Sequence, residues 1–207
     1  MTKIKAVGFD YGGVIGGDPN LGHYFTDKNA KLLGITSEEW RSTYFRMNSL
    51  LNTGAISNKV DFWIKFLENF SQVDKLNKVL ALDAELSDKY ISINTSMLSL
   101  VDRLHNAGYM VGLLSNATAE VAGKIKQLDI DHHFDSFLFS IDIGLQKPDC
   151  LAFNKLAESL QVSVRELVFI DDAEKSLINA TTCGFTPILF KSQAQLEIDL
   201  HKLGLTY

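Results

Sequence analysis

Four polar stations along this chain have side chains suited to one kind of reaction. Asp10 ends the apolar run Ala6-Val7-Gly8-Phe9 and opens into Tyr11, Gly12 and Gly13. Ser115-Asn116 ends the run from Tyr109 to Leu114, Lys147-Pro148-Asp149 follows the stretch Phe139 to Gln146, and Asp171-Asp172 ends Leu167 to Ile170. A carboxylate can act as a nucleophile and split one difficult step into two. Carboxylates gathered around a divalent cation are the hard oxygen ligands that Mg²⁺ prefers, and the metal offsets a phosphate's charge. A Ser hydroxyl, neighbouring backbone N–H groups and a Lys ammonium can hold the remaining phosphate oxygens. The chemistry these types share is phosphoryl transfer. Singly, each has a plainer reading: Asp10 a turn cap, Ser115-Asn116 a helix start, Lys147 a solvated lysine, Asp171-Asp172 an N-terminal helix cap. Their order favours the functional reading, because strand ends of a parallel sheet lie on one edge and there converge on one crevice.

The elements that must position these residues are legible as alternating patterns. Strand-like runs at Val7 to Asp10, Tyr109 to Leu114, Ser136 to Phe139, Leu167 to Ile170 and Phe185 to Phe190 are short and apolar. Between the later ones lie helical patterns at Ala117 to Leu128, Asp149 to Leu160, Ala173 to Cys183 and Ser192 to Leu203. Continuous apolar strands separated by amphipathic helices predict an α/β fold, a Rossmann-like parallel sheet flanked by helices.

The roughly eighty residues between the first strand and Thr95 differ in character and show no β pattern. Asn20 to Leu33, Ser37 to Leu51 and Ser57 to Phe70 carry apolar positions at helical spacing, with Gly34 and Gly54 placed as helix ends. Ser37 and Ser57 read as helix starts without the Glu or Gln of a full capping box. Trp40, Tyr44, Met47 and Leu51 fall on one stripe and read as the core of this lobe. Residues 1–16 and 95–207 are therefore expected to form the α/β core, and residues 17–94 an inserted all-α lobe.

Composition narrows the class. Of 207 residues, 46% are hydrophobic and 22% charged, which fits a folded globular chain. A formal charge of −5 gives no electrostatic reason to bind nucleic acid or an anionic membrane. No apolar stretch has membrane-spanning length, and the N-terminus lacks a signal-peptide pattern. The two cysteines, Cys150 and Cys183, form no CxxC and fit reduced thiols in a cytoplasmic protein. His132 and His133 are adjacent, lack metal-ligand spacing, and read as a solvated loop.

In their order, Asp10, Ser115, Lys147 and Asp171-Asp172 resemble the four motifs of the haloacid dehalogenase-like hydrolases, and the resemblance covers nearly the whole chain. It implies that Asp10 is the nucleophile and a metal ligand, with the backbone carbonyl of Gly12 as another ligand. Ser115 and Lys147 would hold the phosphate, with Gly12, Gly13 and Asn116 lining the same substrate site. Asp172 would complete a Mg²⁺ site, and Asp171 would be a second ligand or a partner of Lys147. The inserted lobe would be a cap over the crevice, with Gly16-Gly17 as its hinge. The implied activity is Mg²⁺-dependent hydrolysis of a small phosphorylated metabolite, for instance a sugar phosphate, through an aspartyl-phosphate.

The chain departs from this pattern at one place. Phosphatases of the family usually carry a second Asp two residues after the first, as general acid and base, and here that position is Gly12. Two other readings follow from the departure. One is a non-catalytic member that binds a phosphorylated ligand or a protein. The other is a metal-independent 2-haloacid dehalogenase, for which Arg41 has the spacing of the halide-binding Arg, although Phe153 and the intact acidic pair do not fit. On sequence grounds, Gly12→Asp is expected to raise turnover on poor leaving groups more than on activated aryl phosphates. Kinetics on the two ester types check this.

Overall fold

The computed structural model describes residues 3–18 and 21–207, so Asn20, where the first helical pattern begins, lies outside the described residues. Five parallel strands form one sheet in the order β3-β2-β1-β4-β5. They are β1 (Ala6–Phe9), β2 (Met110–Ser115), β3 (Ser136–Phe139), β4 (Leu167–Asp171) and β5 (Thr186–Leu189). The fold is α/β and Rossmann-like. Every residue of β1 is buried, as is every residue of β4, which is why both read as unbroken apolar runs. Their alternation still sorts the two faces. Val7 and Phe9 join one core with Val111, Leu113, Leu104 and Leu200, while Ala6 joins another with Phe153, Leu156 and Phe169.

The first face is covered by α5 (Thr95–Asn106), α6 (Ala119–Lys126) and α11 (Gln193–Lys202). The second is covered by α8 (Cys150–Ser159) and α10 (Ala180–Cys183), and the single turn α7 (Ser140–Ile143) leads out of β3. Thr118, Asp149 and Ser192 cap α6, α8 and α11 with their side chains. The single helix expected over Ala173 to Cys183 is instead two short ones, α9 (Glu174–Leu177) and α10. Asn179 lies between them, and its side-chain amide donates to the Pro148 carbonyl at 3.0 Å, tying this bend to the Lys147 loop.

Between β1 and α5 come α1 (Leu21–Leu33), α2 (Ser37–Asn52), α3 (Lys59–Glu68) and α4 (Leu76–Tyr90). They pack around their own cluster, with Trp40, Met47, Leu51, Phe62, Trp63 and Phe66 at its centre. The fourth helix has no counterpart among the three helical patterns of the sequence. A capping box does open α2, contrary to the expectation from Ser37. Thr36 is the N-cap and Glu39 its N3 partner, with Glu39 N–H donating to Thr36 Oγ1 at 3.1 Å and Thr36 N–H to Glu39 Oε2 at 2.8 Å. The cap lies one residue earlier than Ser37, which puts Glu39 at N3.

Cys150 and Cys183 are joined as a disulfide across a Cα separation of 5.0 Å, which corrects the expectation of reduced thiols. The first residue of α8 and the last of α10 meet on one face of the sheet, a proximity that a separation of 33 residues does not reveal. Among the described residues, no helix is long and apolar enough to cross a membrane.

Gly8 and Gly112 are register partners on β1 and β2, and α8 packs directly over them. A Cβ on Gly112 would lie 2.8 Å from Leu156 Cδ1, and one on Gly8 2.7 Å from Phe169 Cδ2. Gly112→Ala is accordingly expected to destabilise the fold by about 1–3 kcal/mol through overpacking. Urea unfolding, with an unchanged m-value, measures it.

Candidate active site

Register places the candidate residues level with one another. Phe9 pairs with Leu113 on one side and Ile170 on the other, so Asp10, Ser115 and Asp171 all emerge at the C-terminal edge of the three central strands. Asp10 N–H continues the ladder to Ile170 O at 2.9 Å. Its carboxylate Oδ1 then accepts the Tyr11 N–H at 2.7 Å and meets Lys147 Nζ at 3.0 Å. The turn that follows closes on itself, with Gly13 N–H donating to Gly16 O at 2.7 Å and Gly16 N–H to Tyr11 O at 2.8 Å. Gly13 holds φ +68°, and a Cβ there would overlap the Asp172 carboxylate, so this position needs glycine twice over.

Lys147 sits at the centre. Its Nζ is 2.5 Å from Asp171 Oδ2 as well as 3.0 Å from Asp10, and the side chain is almost fully buried. Burial alone would lower its pKa, but the two carboxylates outweigh it and hold the ammonium above its usual value. Asn116 fixes the loop that presents it. The Asn116 amide donates to Lys147 O at 2.9 Å and accepts from Lys147 N–H at 2.9 Å, gripping both sides of one residue. Ser115 is buried beside them at the end of β2.

The acids divide by environment. Asp171 is buried and fully engaged, with Oδ1 accepting the Ala173 N–H at 2.9 Å while Oδ2 faces Lys147. Asp172 is exposed at the crevice. Burial pushes Asp10 up to about 6, with Lys147 opposing the rise and Asp171 adding to it. Asp172 is also raised, first by partial desolvation against the crevice wall and then by Asp171. Asp10, Asp171 and Asp172 bring carboxylate oxygens within 4.8 Å of one another. Three carboxylates converge there and the donor set is all oxygen, so these residues fit a Mg²⁺ ion.

Two residues of this neighbourhood, Tyr90 and Lys175, had no place in the motif reading. Tyr90, the last residue of α4, lies over Gly12, and a Cβ on Gly12 would overlap its hydroxyl and stand 3.2 Å from its Cζ. Burial, then the charge of Asp10, hold the Tyr90 phenol well above its ordinary pKa. Lys175, on α9, reaches across to the ring of Phe45 on α2, 3.0 Å from its centroid. Burial pushes Lys175 down to about 8, with Asp171 and Asp172 opposing the shift and Arg41 adding to it. Residue type and spacing gave no signal for Tyr90, because only the return of the chain from the helical lobe brings it to the turn. The crowding bears on Gly12→Asp as well: an added side chain must first displace the Tyr90 hydroxyl.

A cavity of about 280 Å³ opens from this point between the helical lobe and the end of β2. Phe25, Trp40, Tyr44 and Phe45 wall it from the lobe, with Tyr90 and Asn116 at its base.

A family model described as haloacid dehalogenase-like hydrolase matches residues 4–177. The chain belongs to the haloacid dehalogenase-like hydrolases. It is 28% identical over 101 residues to phosphoglycolate phosphatase of Vibrio cholerae, covering 48% of this chain and 43% of that protein. It is 28% identical over 117 residues to bifunctional epoxide hydrolase 2 of Mus musculus, covering 54% of this chain and 21% of that protein. The chain thus spans less than half the length of the curated relatives it matches. In three dimensions this hydrolase is similar to a HAD family enzyme from Bacteroides thetaiotaomicron, with a TM-score of 0.69 and 20% identity over 95% of this chain and 99% of that one. That enzyme has also been solved in complex with magnesium and inorganic phosphate.

Removing Lys147 strands two carboxylates. Lys147→Ala is expected to destabilise the hydrolase by about 3–5 kcal/mol, the usual consequence of breaking a buried ion pair from one side. Asp171→Asn in the same chain should recover part of that loss. A double-mutant cycle by urea denaturation reads the coupling.

Proposed function

We propose that this hydrolase is a Mg²⁺-dependent phosphatase that transfers the phosphoryl group of a small phosphorylated metabolite to Asp10 and then to water. The observation that carries the reading is the acidic trio of Asp10, Asp171 and Asp172 around a buried lysine. Asp10, Asp172 and the Gly12 carbonyl would hold Mg²⁺, with Asp171 chiefly the counter-ion of Lys147. Bound there, the ion would supply positive charge to offset that of the phosphate. The Asp10 carboxylate forms the bond to phosphorus as the ester bond breaks, and water later cleaves the aspartyl-phosphate. Lys147 and Ser115 hold the non-bridging oxygens, so that charge developing on them meets fixed donors. A metal-free dehalogenase has no use for Asp172 beside its nucleophile.

The lobe of residues 17–94 acts in this reading as a cap whose cavity receives the leaving group, while Gly16 and Gly17, expected as its hinge, are tied by hydrogen bonds to Tyr11, Gly13 and Ser92. Among the described residues, no Lys, Arg or His lines that cavity, whereas Asp83 does. Asp83 is ion-paired with Lys59, so a second anionic group on the substrate would meet no cation on the cavity wall and would be buried at a cost. The pocket therefore suits an uncharged leaving group with an apolar face, for which a sugar is one candidate, and disfavours a phosphorylated carboxylic acid.

Phosphate release from a panel of phosphate esters, beside halide release from 2-chloropropionate, tests the reading. Release is expected with Mg²⁺, to be lost in EDTA, to return with added Mg²⁺, and to fall to background in Asp10→Asn. Neutral sugar phosphates should exceed phosphoglycolate in kcat/KM. Halide release in EDTA would overturn it in favour of a dehalogenase. Ligand binding without turnover would overturn it in favour of a binding protein.

A further inference from the structure

We propose that the phenolic hydroxyl of Tyr90 is the proton donor to the leaving-group oxygen, taking the place of the acid that Gly12 lacks. The inference rests on the phosphatase reading and adds a residue to it. The space that a side chain at position 12 would enter is filled by the Tyr90 hydroxyl, which a Cβ on Gly12 would overlap. The ring is held from several sides. A Cβ on Gly17 would lie 3.3 Å from Tyr90 Cε2, and the Tyr11 ring packs against it at a centroid distance of 5.8 Å and an interplanar angle of 53°. The crossover that carries it is also pinned. Tyr11 Oη donates to Ser92 O at 2.8 Å, Ser92 Oγ accepts the Gly17 N–H at 3.0 Å, and Asn94 N–H donates to Ile15 O at 2.8 Å. Tyr90 lines the base of the cavity beside Asn116, between the Asp10 turn and the space where a leaving group would lie. Among the described residues, its hydroxyl makes no hydrogen bond, so the donor is uncommitted where a donor is needed.

The step balances as follows. Asp10 forms its bond to phosphorus, the bond from phosphorus to the leaving oxygen breaks with its electron pair moving to that oxygen, and the Tyr90 proton transfers to it. In the second half, water attacks phosphorus and returns one proton to the Tyr90 oxygen, while Asp10 departs as a carboxylate. Glycine at position 12 is then a requirement of this arrangement, because a larger residue and the phenol exclude each other.

The test compares kcat/KM, which reports steps only through cleavage of the ester bond, for an alkyl phosphate and for p-nitrophenyl phosphate. Tyr90→Phe keeps the ring and removes the donor. It is expected to lower kcat/KM for the alkyl ester by about 100-fold, while the activated ester, whose leaving group needs no proton, changes by less than about threefold. Equal losses on both esters, no loss on the alkyl ester, or a gain from opening the site each overturn the assignment. Thermal unfolding tests the placement without reference to activity. Gly12→Ala should lower Tm in the native background and much less in the Tyr90→Phe background, where the overlapping atom is gone. An equal loss in both backgrounds shows that the hydroxyl does not occupy that space, and the proposal fails. If the native enzyme releases phosphate from neither ester, the phosphatase reading fails, and the acid role falls with it whatever the unfolding experiment shows.

Discussion

One buried cation organises this molecule. Lys147 is enclosed between Asp10 and Asp171, which come from the ends of adjacent strands that register holds level. An ammonium taken out of water is costly unless carboxylates surround it, and carboxylates that close to each other are costly without it. Neither acid nor base tolerates the interior alone. The sheet edge, the loop that delivers Lys147 and the chemistry of the crevice are therefore parts of one electrostatic arrangement. Asn116 makes it rigid by gripping both the N–H and the carbonyl of Lys147, so the ammonium enters from a fixed backbone.

That arrangement assigns different work to neighbours of identical type. Asp171 spends both oxygens internally, on Lys147 and on the Ala173 N–H. Asp172, one residue later, is exposed at the crevice. The alternation of a strand explains the difference: as the chain leaves β4, successive side chains point to opposite sides. The same local geometry fixes Gly13, whose missing Cβ leaves room for Asp172. The helical lobe contributes an aromatic wall and meets the core through a few polar contacts, including Lys59 with Glu120 at 2.5 Å and Lys175 against Phe45.

Much of this was legible in the sequence because buried parallel strands must be apolar throughout, which makes their polar ends conspicuous. Asp10, Ser115 and Asp171 stand out for that reason, and Lys147 follows from its order among them. Three things were not legible. Tyr90 lies outside the three helical patterns of the sequence, and its meaning depends on where the chain re-enters the core. Cys150 and Cys183 carry no pairing signal at a separation of 33 residues, and their union depends on α8 and α10 sharing a face. The break between α9 and α10 is set by Asn179 reaching the Pro148 carbonyl, a tertiary contact that outweighs helical periodicity. The Thr36 capping box was present in the letters, one residue from where it was sought.

The packing of Tyr90 has a consequence for how such a molecule can diversify. Although it closes α4, its ring belongs to the hydrophobic core beneath the sheet edge and not to the aromatic cluster of the lobe. Ser92 and Asn94 then lace its segment to Tyr11, Ile15 and Gly17. The stem of the insertion is thereby part of the base on which the insertion stands. Everything above that stem can be reshaped, lengthened or exchanged without moving the phenol. The pieces that choose a ligand and the pieces that would act on it are mechanically separable, and lineages can vary one while keeping the other.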